Sequence, residues 1–319
     1  MTPSPSIWHF IENHRRDGNA CVLLYVLNSV GSSPGRQGFC MAVTRDSQMY
    51  GSIGGGIMEH KWVEFAKKMM DENQGFSLVR DQIHQDGIRD NRSGMICSGE
   101  QKIFIHLIQD SDIPAIQSIA KSLDDKSTTC LKLDPKGLHI VPDYSGDIQY
   151  LDFLDESNWS YHGVIGHKPI AHIIGGGHCS LALSQLLDSL GFRIYLYETR
   201  PELNTIAANH FIHKLEILPQ YSKLEIPSDI HAYVVIMTFG YRTDKEAIQA
   251  LTNKKFKYLG VLGSKNKMQQ LLQELASQGV SSSFLDSIFT PIGLPIRSQT
   301  PMEIAVSIAA QMIQIKNKD

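Results

Sequence analysis

The run Ile173-Ile174-Gly175-Gly176-Gly177-His178-Cys179-Ser180 carries the strongest chemical signal in the sequence. A glycine triplet between an apolar run and a helical pattern reads as strand, tight turn and helix. Gly175 permits the turn, and Gly177 lets a pyrophosphate approach the main chain. The first N–H groups of the helix, at the positive end of its dipole, then meet the anion. Ser180 stands where the dinucleotide fingerprint has Gly or Ala. About 20 residues further on, the fingerprint needs an acid for ribose hydroxyls, and Glu198 is there. A negative charge at Glu198 would repel a 2′-phosphate. His178 could hydrogen-bond a phosphate or cap the turn, with equal weight. Cys179 reads as packed. The competing reading of the whole motif is a Rossmann-like turn without a ligand, weighed at roughly one to two against nucleotide-type binding.

Two loops in the first half offer related chemistry. Gly31-Ser32-Ser33-Pro34-Gly35-Arg36-Gln37-Gly38 and Gly51-Ser52-Ile53-Gly54-Gly55-Gly56 each follow an apolar strand-like run. Consecutive glycines allow positive φ and gather N–H groups into anion-binding nests. Arg36 would add a planar fork for phosphate or carboxylate, and Glu59 opens the helix after the second loop. On physics alone, tight β-turns with Glu59 complementing the helix dipole weigh slightly more. A third loop, Gly94–Gly99, carries Cys97, which could bind a soft metal or exchange sulfur but lacks paired ligands. Gly263-Ser264-Lys265 ends a strand and caps a helix, and Lys265 could neutralise a phosphate. Lys267 reads as a solvated helix start. His210 and His213 could share a helix face, with no third ligand for a metal. The sequence has no Walker-A run, no His-Glu-x-x-His and no Gly-x-Ser-x-Gly elbow.

The elements that must hold these loops differ between the halves. The first predicts a helix over Ile7–Asp17, then strands over Cys21–Leu27, Phe39–Thr44 and Met49–Ile53, and a helix over Ile57–Asp71. Strands follow at Phe76–Ile83, Lys102–Ile108 and Thr129–Leu133, with a helix at Ile113–Leu123, so this half reads as α+β. The polar, turn-rich stretch Pro142–Lys168 reads as a connection between domains. Beyond it, strands and helices alternate: Ile170–Ile174, Leu181–Leu190, Arg193–Tyr197, Tyr233–Met237, Thr243–Leu251, Tyr258–Leu262 and Lys267–Gln278. That rhythm predicts a parallel sheet covered on both faces. Thr243 with Glu246, and Thr300 with Glu303 around Pro301, read as capping boxes. The expected fold class is therefore α/β, with an α+β domain over residues 1–160 and a Rossmann-like domain over 165–319.

At roughly 150 residues per domain, a chain of 319 residues accommodates two. Its 42% hydrophobic and 20% charged content exclude wholesale disorder. A net charge of −3 argues against nucleic acid as partner. Five scattered cysteines suit a reducing compartment. No run approaches the ~18 apolar residues of a membrane span, and the start lacks signal-peptide character, so cytoplasm is the expected location.

Taken in order, these motifs resemble the XdhC/CoxI family, the xanthine dehydrogenase accessory factors. The matching runs are Gly31–Pro34, Gly51–Gly56 with Glu59, the Cys97 loop, Gly175–His178, and Glu198-Thr199-Arg200-Pro201-Glu202. They continue through Met237–Gly240, Gly260–Ser264, Pro291–Leu294 and Thr300–Glu303. The resemblance implies an N-terminal XdhC/CoxI domain and a C-terminal Rossmann domain. It implies binding of molybdenum cofactor, as molybdopterin or its dinucleotide form. The cofactor would be held while a cysteine desulfurase replaces an oxo ligand by sulfur, then passed to a xanthine dehydrogenase-like molybdenum hydroxylase. A homodimer is also implied. The ligand would lie between the domains. Gly31, Ser32, Ser33, Arg36, Gly54, Gly55, Gly56, Glu59 and Cys97 would line one side, and Gly175, Gly177, His178, Glu198, Gly263, Ser264 and Lys265 the other. The chain departs from the family pattern in three places. Many relatives carry Thr-His-x-His where this chain has Thr238-Phe239-Gly240-Tyr241. Ile57 replaces a frequent Cys, and Ser98 follows Cys97 in place of Gly.

Two other functions compete. The Gly175/Glu198 pattern also fits an NAD-dependent oxidoreductase, although only Tyr241 and His178 could serve as acid or base. Loss of both family histidines would also fit a non-catalytic partner protein that keeps the fold without the ligand.

Overall fold

The computed structural model describes residues 6–55, 57–72, 77–84 and 99–317. The chain divides into two compact units, Met1–His167 and Lys168–Asp319.

The first unit comprises α1 (Ile7–Arg16), β1 (Cys21–Gly31), β2 (Cys40–Thr44), β3 (Met49–Gly51), α2 (Ile57–Glu72), β4 (Ser77–His84) and β5 (Gly99–Leu107). These are followed by α3 (Ile113–Asp124), β6 (Thr129–Asp134), β7 (Gly137–Val141), β8 (Gln149–Asp155) and β9 (Asn158–Ile165). The first five strands form an antiparallel sheet in the order β3-β2-β1-β5-β4, and the last four a second sheet, β7-β6-β9-β8. The unbroken apolar run of β1 is explained by burial on both faces. Leu23, Tyr25 and Leu27 pack with Ile11 of α1, Ile116 of α3, and Trp159 and Tyr161 of β9. Val22, Leu24 and Val26 face Ala66 and Met69 of α2.

The stretch expected as a connection contains the β8–β9 hairpin instead. Its strands bury few side chains, chiefly Trp159 and Tyr161 of β9, and polar residues interrupt their apolar ones, so neither shows an unbroken apolar run like that of β1.

The second unit comprises β10 (Ile170–Ile174), α4 (His178–Ser189), β11 (Arg193–Glu198), α5 (Asn204–Ala207), β12 (Ile212–Ile217), β13 (Asp229–Ile236) and α6 (Tyr241–Ala250). It ends with β14 (Phe256–Val261), α7 (Lys265–Ser277), α8 (Ser282–Asp286) and α9 (Pro301–Lys316). All five strands are parallel, in the order β12-β11-β10-β13-β14. The chain winds outward from β10 to β12 and then returns to the other side of β10. The strand order therefore reverses between β10 and β13, where open parallel sheets hold their ligands. Helix α9 lays Ala305, Ile308, Ala309 and Met312 against the core shared with Ala182, Leu183 and Leu187 of α4.

Two local expectations are corrected. His213 lies in strand β12, not on a helix, and its Nδ1 accepts from the Ile194 N–H at 3.2 Å. Helix α6 starts at Tyr241 with Gly240 as N-cap, so Thr243 is inside the first turn and its hydroxyl donates to Gly240 O at 2.9 Å. The α9 capping box forms as expected, with Glu303 N–H donating to Thr300 Oγ1 at 3.2 Å.

Candidate functional site

In the second unit, the loops after β10, β11, β13 and β14 share the C-terminal edge of the parallel sheet. Gly175 turns at φ +108, and a Cβ there would stand 2.4 Å from Met237 O, so the turn fits tightly against the end of β13. Gly177 is the N-cap of α4. Among the described residues no side chain caps this helix, and a Cβ on Gly177 would meet nothing within 4 Å. The space beside Gly177 is therefore open, and the positive end of the helix dipole lies there. His178 is exposed at the first helical position, while burial raises the thiol pKa of Cys179.

Glu198 is 0% exposed and faces inward. Its Oε2 accepts from Gly176 N–H at 2.7 Å and Arg200 Nη2 at 2.8 Å. Its Oε1 accepts from Thr199 N–H at 2.7 Å and Oγ1 at 3.2 Å, from Arg200 N–H and Nε at 3.1 Å each, and from Tyr221 Oη at 2.9 Å. Burial raises the carboxyl pKa, but the bonds from Arg200, Gly176, Thr199 and Tyr221 together outweigh it, leaving a pKa of about 2. Glu198 thus straps the glycine turn to the end of β11.

Asp244 is buried in the first turn of α6. Its carboxylate accepts from Thr238 N–H at 3.2 Å, Thr238 Oγ1 at 2.6 Å and Lys267 Nζ at 2.9 Å. Lys267 is therefore ion-paired and not simply solvated. Ser264 caps α7 through the Lys267 N–H, Gly263 packs on Met268, and Lys265 is exposed.

In the first unit, the two glycine loops touch. A Cβ on Gly35 would stand 2.0 Å from Ile53 O, one on Gly54 2.6 Å from Gly35 N, and one on Gly99 2.5 Å from Ser33 N. Buried Gln101 joins them, its Nε2 donating to Gly35 O at 3.1 Å and Ile53 O at 3.0 Å. Ser33 is buried and donates to Gly35 O, while Gly31, Ser32 and Arg36 are exposed, Arg36 Nη1 donating to Gly31 O at 3.1 Å. Glu59 Oε1 receives Ser52 Oγ at 2.7 Å, Ile53 N–H at 2.8 Å and Gly55 N–H at 3.1 Å. The chain's own carboxylate thus takes two amides of that nest. Gly56 and Cys97 lie outside the described residues. Gly35→Ala should destabilise this unit by about 1–3 kcal/mol through overpacking, read as a lower urea midpoint, with exposed Ser32→Ala unchanged. A Gly35→Ala protein as stable as wild type would show that the loops are not in this contact.

This arrangement can hold an anion by main-chain amides at α4. Among the described residues it offers no activated thiol: burial pushes the Cys21 and Cys40 thiols up to about 12 and raises Cys130. Among the described residues no cluster of metal-binding side chains occurs, and no helix is long and apolar enough to cross a membrane.

A family model for the XdhC Rossmann domain matches residues 171–312, and one for the XdhC and CoxI family matches residues 14–80. The chain belongs to the XdhC and CoxI family. This XdhC-type chain is similar over 297 residues, at 26% identity, to the uncharacterized protein YqeB of Escherichia coli. The match covers 92% of the chain but 43% of YqeB, so the chain spans less than half of that relative's length. It is 22% identical to a probable xanthine dehydrogenase component of Bacillus subtilis, covering 95% of each. It is 20% identical to the molybdenum cofactor insertion chaperone PaoD of E. coli, covering 98% of the chain and 88% of PaoD. The crystal structure of a xanthine dehydrogenase from Bacillus halodurans shares the fold, with TM-score 0.64 and 22% identity over 99% of this chain and 97% of that one.

In this XdhC-type chain, sequence reasoning passes over Arg200, Phe239, Asp244 and Gln101 as site residues. Arg200 lies in the Glu198–Glu202 motif, two residues after Glu198, and Phe239 stands in the Met237–Gly240 run where this chain departs from the family pattern; those are the available signals. The others act through partners distant in sequence.

Proposed function

We propose that this protein holds molybdenum cofactor as cargo and delivers it to a xanthine dehydrogenase-like molybdenum hydroxylase. The observation that carries this reading is the uncapped, sterically open start of α4 at Gly177, at the strand-order reversal of the parallel sheet. A pterin phosphate suits those amides and that dipole end. Family membership and the names of PaoD and the B. subtilis relative support the same assignment. The four described cysteines all have raised thiol pKa values, so sulfur for the cofactor would come from a cysteine desulfurase and not from these thiols. The protein would act in the cytoplasm, as a homodimer. The NAD reading loses support, because the carboxylate it needs for ribose already serves Gly176, Thr199, Arg200 and Tyr221.

Protein purified without oxygen from molybdate-grown cells should release a fluorescent pterin on oxidation, close to one per chain. Protein free of pterin that also fails to take up added cofactor would overturn the reading.

A further inference from the structure

Arg200 follows two residues after Glu198, just beyond the end of β11 and next to the position where the dinucleotide pattern has its acid. In such sheets a carboxylate here takes ribose hydroxyls, whereas an arginine accommodates a phosphate. A carboxylate has about four lone-pair sites, and Glu198 accepts from Gly176, Thr199, Arg200 and Tyr221 within the fold. It has no capacity left for a ribose. Arg200 meets Glu198 side-on through Nε and Nη2, which leaves Nη1 on the far side of the planar fork. Among the described residues no partner meets Nη1, and the Arg200 side chain is 38% exposed.

Phe239, at the end of β13, places its ring 4.2 Å from Arg200 Cζ and is itself 61% exposed. Strands β11 and β13 flank β10 on opposite sides, so this pair bridges the end of β10 where the glycine turn begins. One Glu198 oxygen holds both the Gly176 amide and Arg200, which places the guanidinium next to the turn leading into α4. A fixed guanidinium, an exposed ring and an uncapped helix start therefore lie together. Guanidinium forks bind phosphate oxygens, and an aromatic face stacks planar rings.

We propose that Arg200 Nη1 joins the α4 amides on one phosphate monoester and Phe239 stacks the planar heterocycle that carries it. The chain thereby selects phosphorylated over unphosphorylated heterocycles. The inference deepens the cargo reading, on which it rests for the place of the ligand, and names two residues for it.

The test is fluorescence anisotropy of neopterin monophosphate and of neopterin with the full chain. The phosphorylated pterin should bind about 10–100-fold more tightly, the range expected of a charge-assisted hydrogen bond. Arg200→Lys, which keeps a cation for Glu198 but loses the fork, should cut that preference at least fivefold. Phe239→Ala removes an exposed ring, so the protein stays folded; it should weaken both pterins and leave their ratio unchanged. Equal binding of the two pterins, no binding of either at millimolar concentration, or indifference to both substitutions would overturn the proposal. If cofactor co-purifies but the phosphate preference is missing, only this inference falls. If the preference is present but cofactor is never carried or taken up, the cargo reading falls.

Discussion

Glu198→Ala should lower the stability of the Lys168–Asp319 unit by about 3–5 kcal/mol, because it leaves a buried cluster of donors without its acceptor. Arg200 would lose its counter-charge, and Gly176 N–H, Thr199 N–H and Tyr221 Oη would each lose the acceptor they share. For a unit of this size the expected fall in melting temperature is about 6–20 °C. The same carboxylate predicts a pH signature. Its folded pKa lies near 2, below the ordinary 4.5. A depressed carboxyl pKa contributes its full stabilisation above the unfolded value and loses it as pH falls towards the folded value. Wild type should therefore lose stability between about pH 5 and pH 2, at up to about 1.4 kcal/mol per pH unit from this group. In Glu198→Ala that slope should shrink. Urea unfolding at a series of pH values reads both effects, and parallel wild-type and variant curves would refute the strap.

The glycine turn and its distal acid are legible in the sequence because both obey local spacing: the triplet follows an apolar strand, and Glu198 ends the next one. The direction in which Glu198 points is not legible. Its donors include Tyr221 and Gly176, 23 and 22 residues away, and only the folded sheet edge brings them together. Lys267 reads as solvated for the same reason, since its partner Asp244 sits 23 residues away on α6. Strand β12 leaves no mark because it lies at the sheet edge and is largely exposed, so Lys214 and Glu216 break any apolar run. The hairpin of β8 and β9 is hidden by the same dilution. By contrast, β1 and β10 are buried on both faces and announce themselves as continuous apolar runs. In the first unit, glycines at positions 35, 54 and 99 permit the close approach of the two loops, but which backbone each one meets depends on the β1–β5 pairing.

Gly177→Asp should separate ligand binding from folding, because it changes the two in opposite directions. Gly177 has φ −76 and ψ −172, the extended conformation an aspartate N-cap adopts, and a Cβ there meets nothing within 4 Å. Its carboxylate would accept from the free amides of the first turn and complement the helix dipole, a gain of a few tenths to about 1 kcal/mol. The melting temperature should rise by about 1–4 °C. The same carboxylate would sit where the cargo's phosphate is proposed to bind. Two unit charges about 4 Å apart repel by about 4 kcal/mol at an effective dielectric of about 20, and screening leaves roughly 100-fold weaker binding. Gly177→Ala, equally free of strain, should keep its affinity within about threefold, since it adds neither charge nor a donor. Pterin content after anaerobic purification, measured beside thermal unfolding, decides the matter. A Gly177→Asp protein that melts higher and still carries wild-type amounts of pterin would move the cargo away from α4. One that melts lower would mean that the helix start is not open as the structure places it.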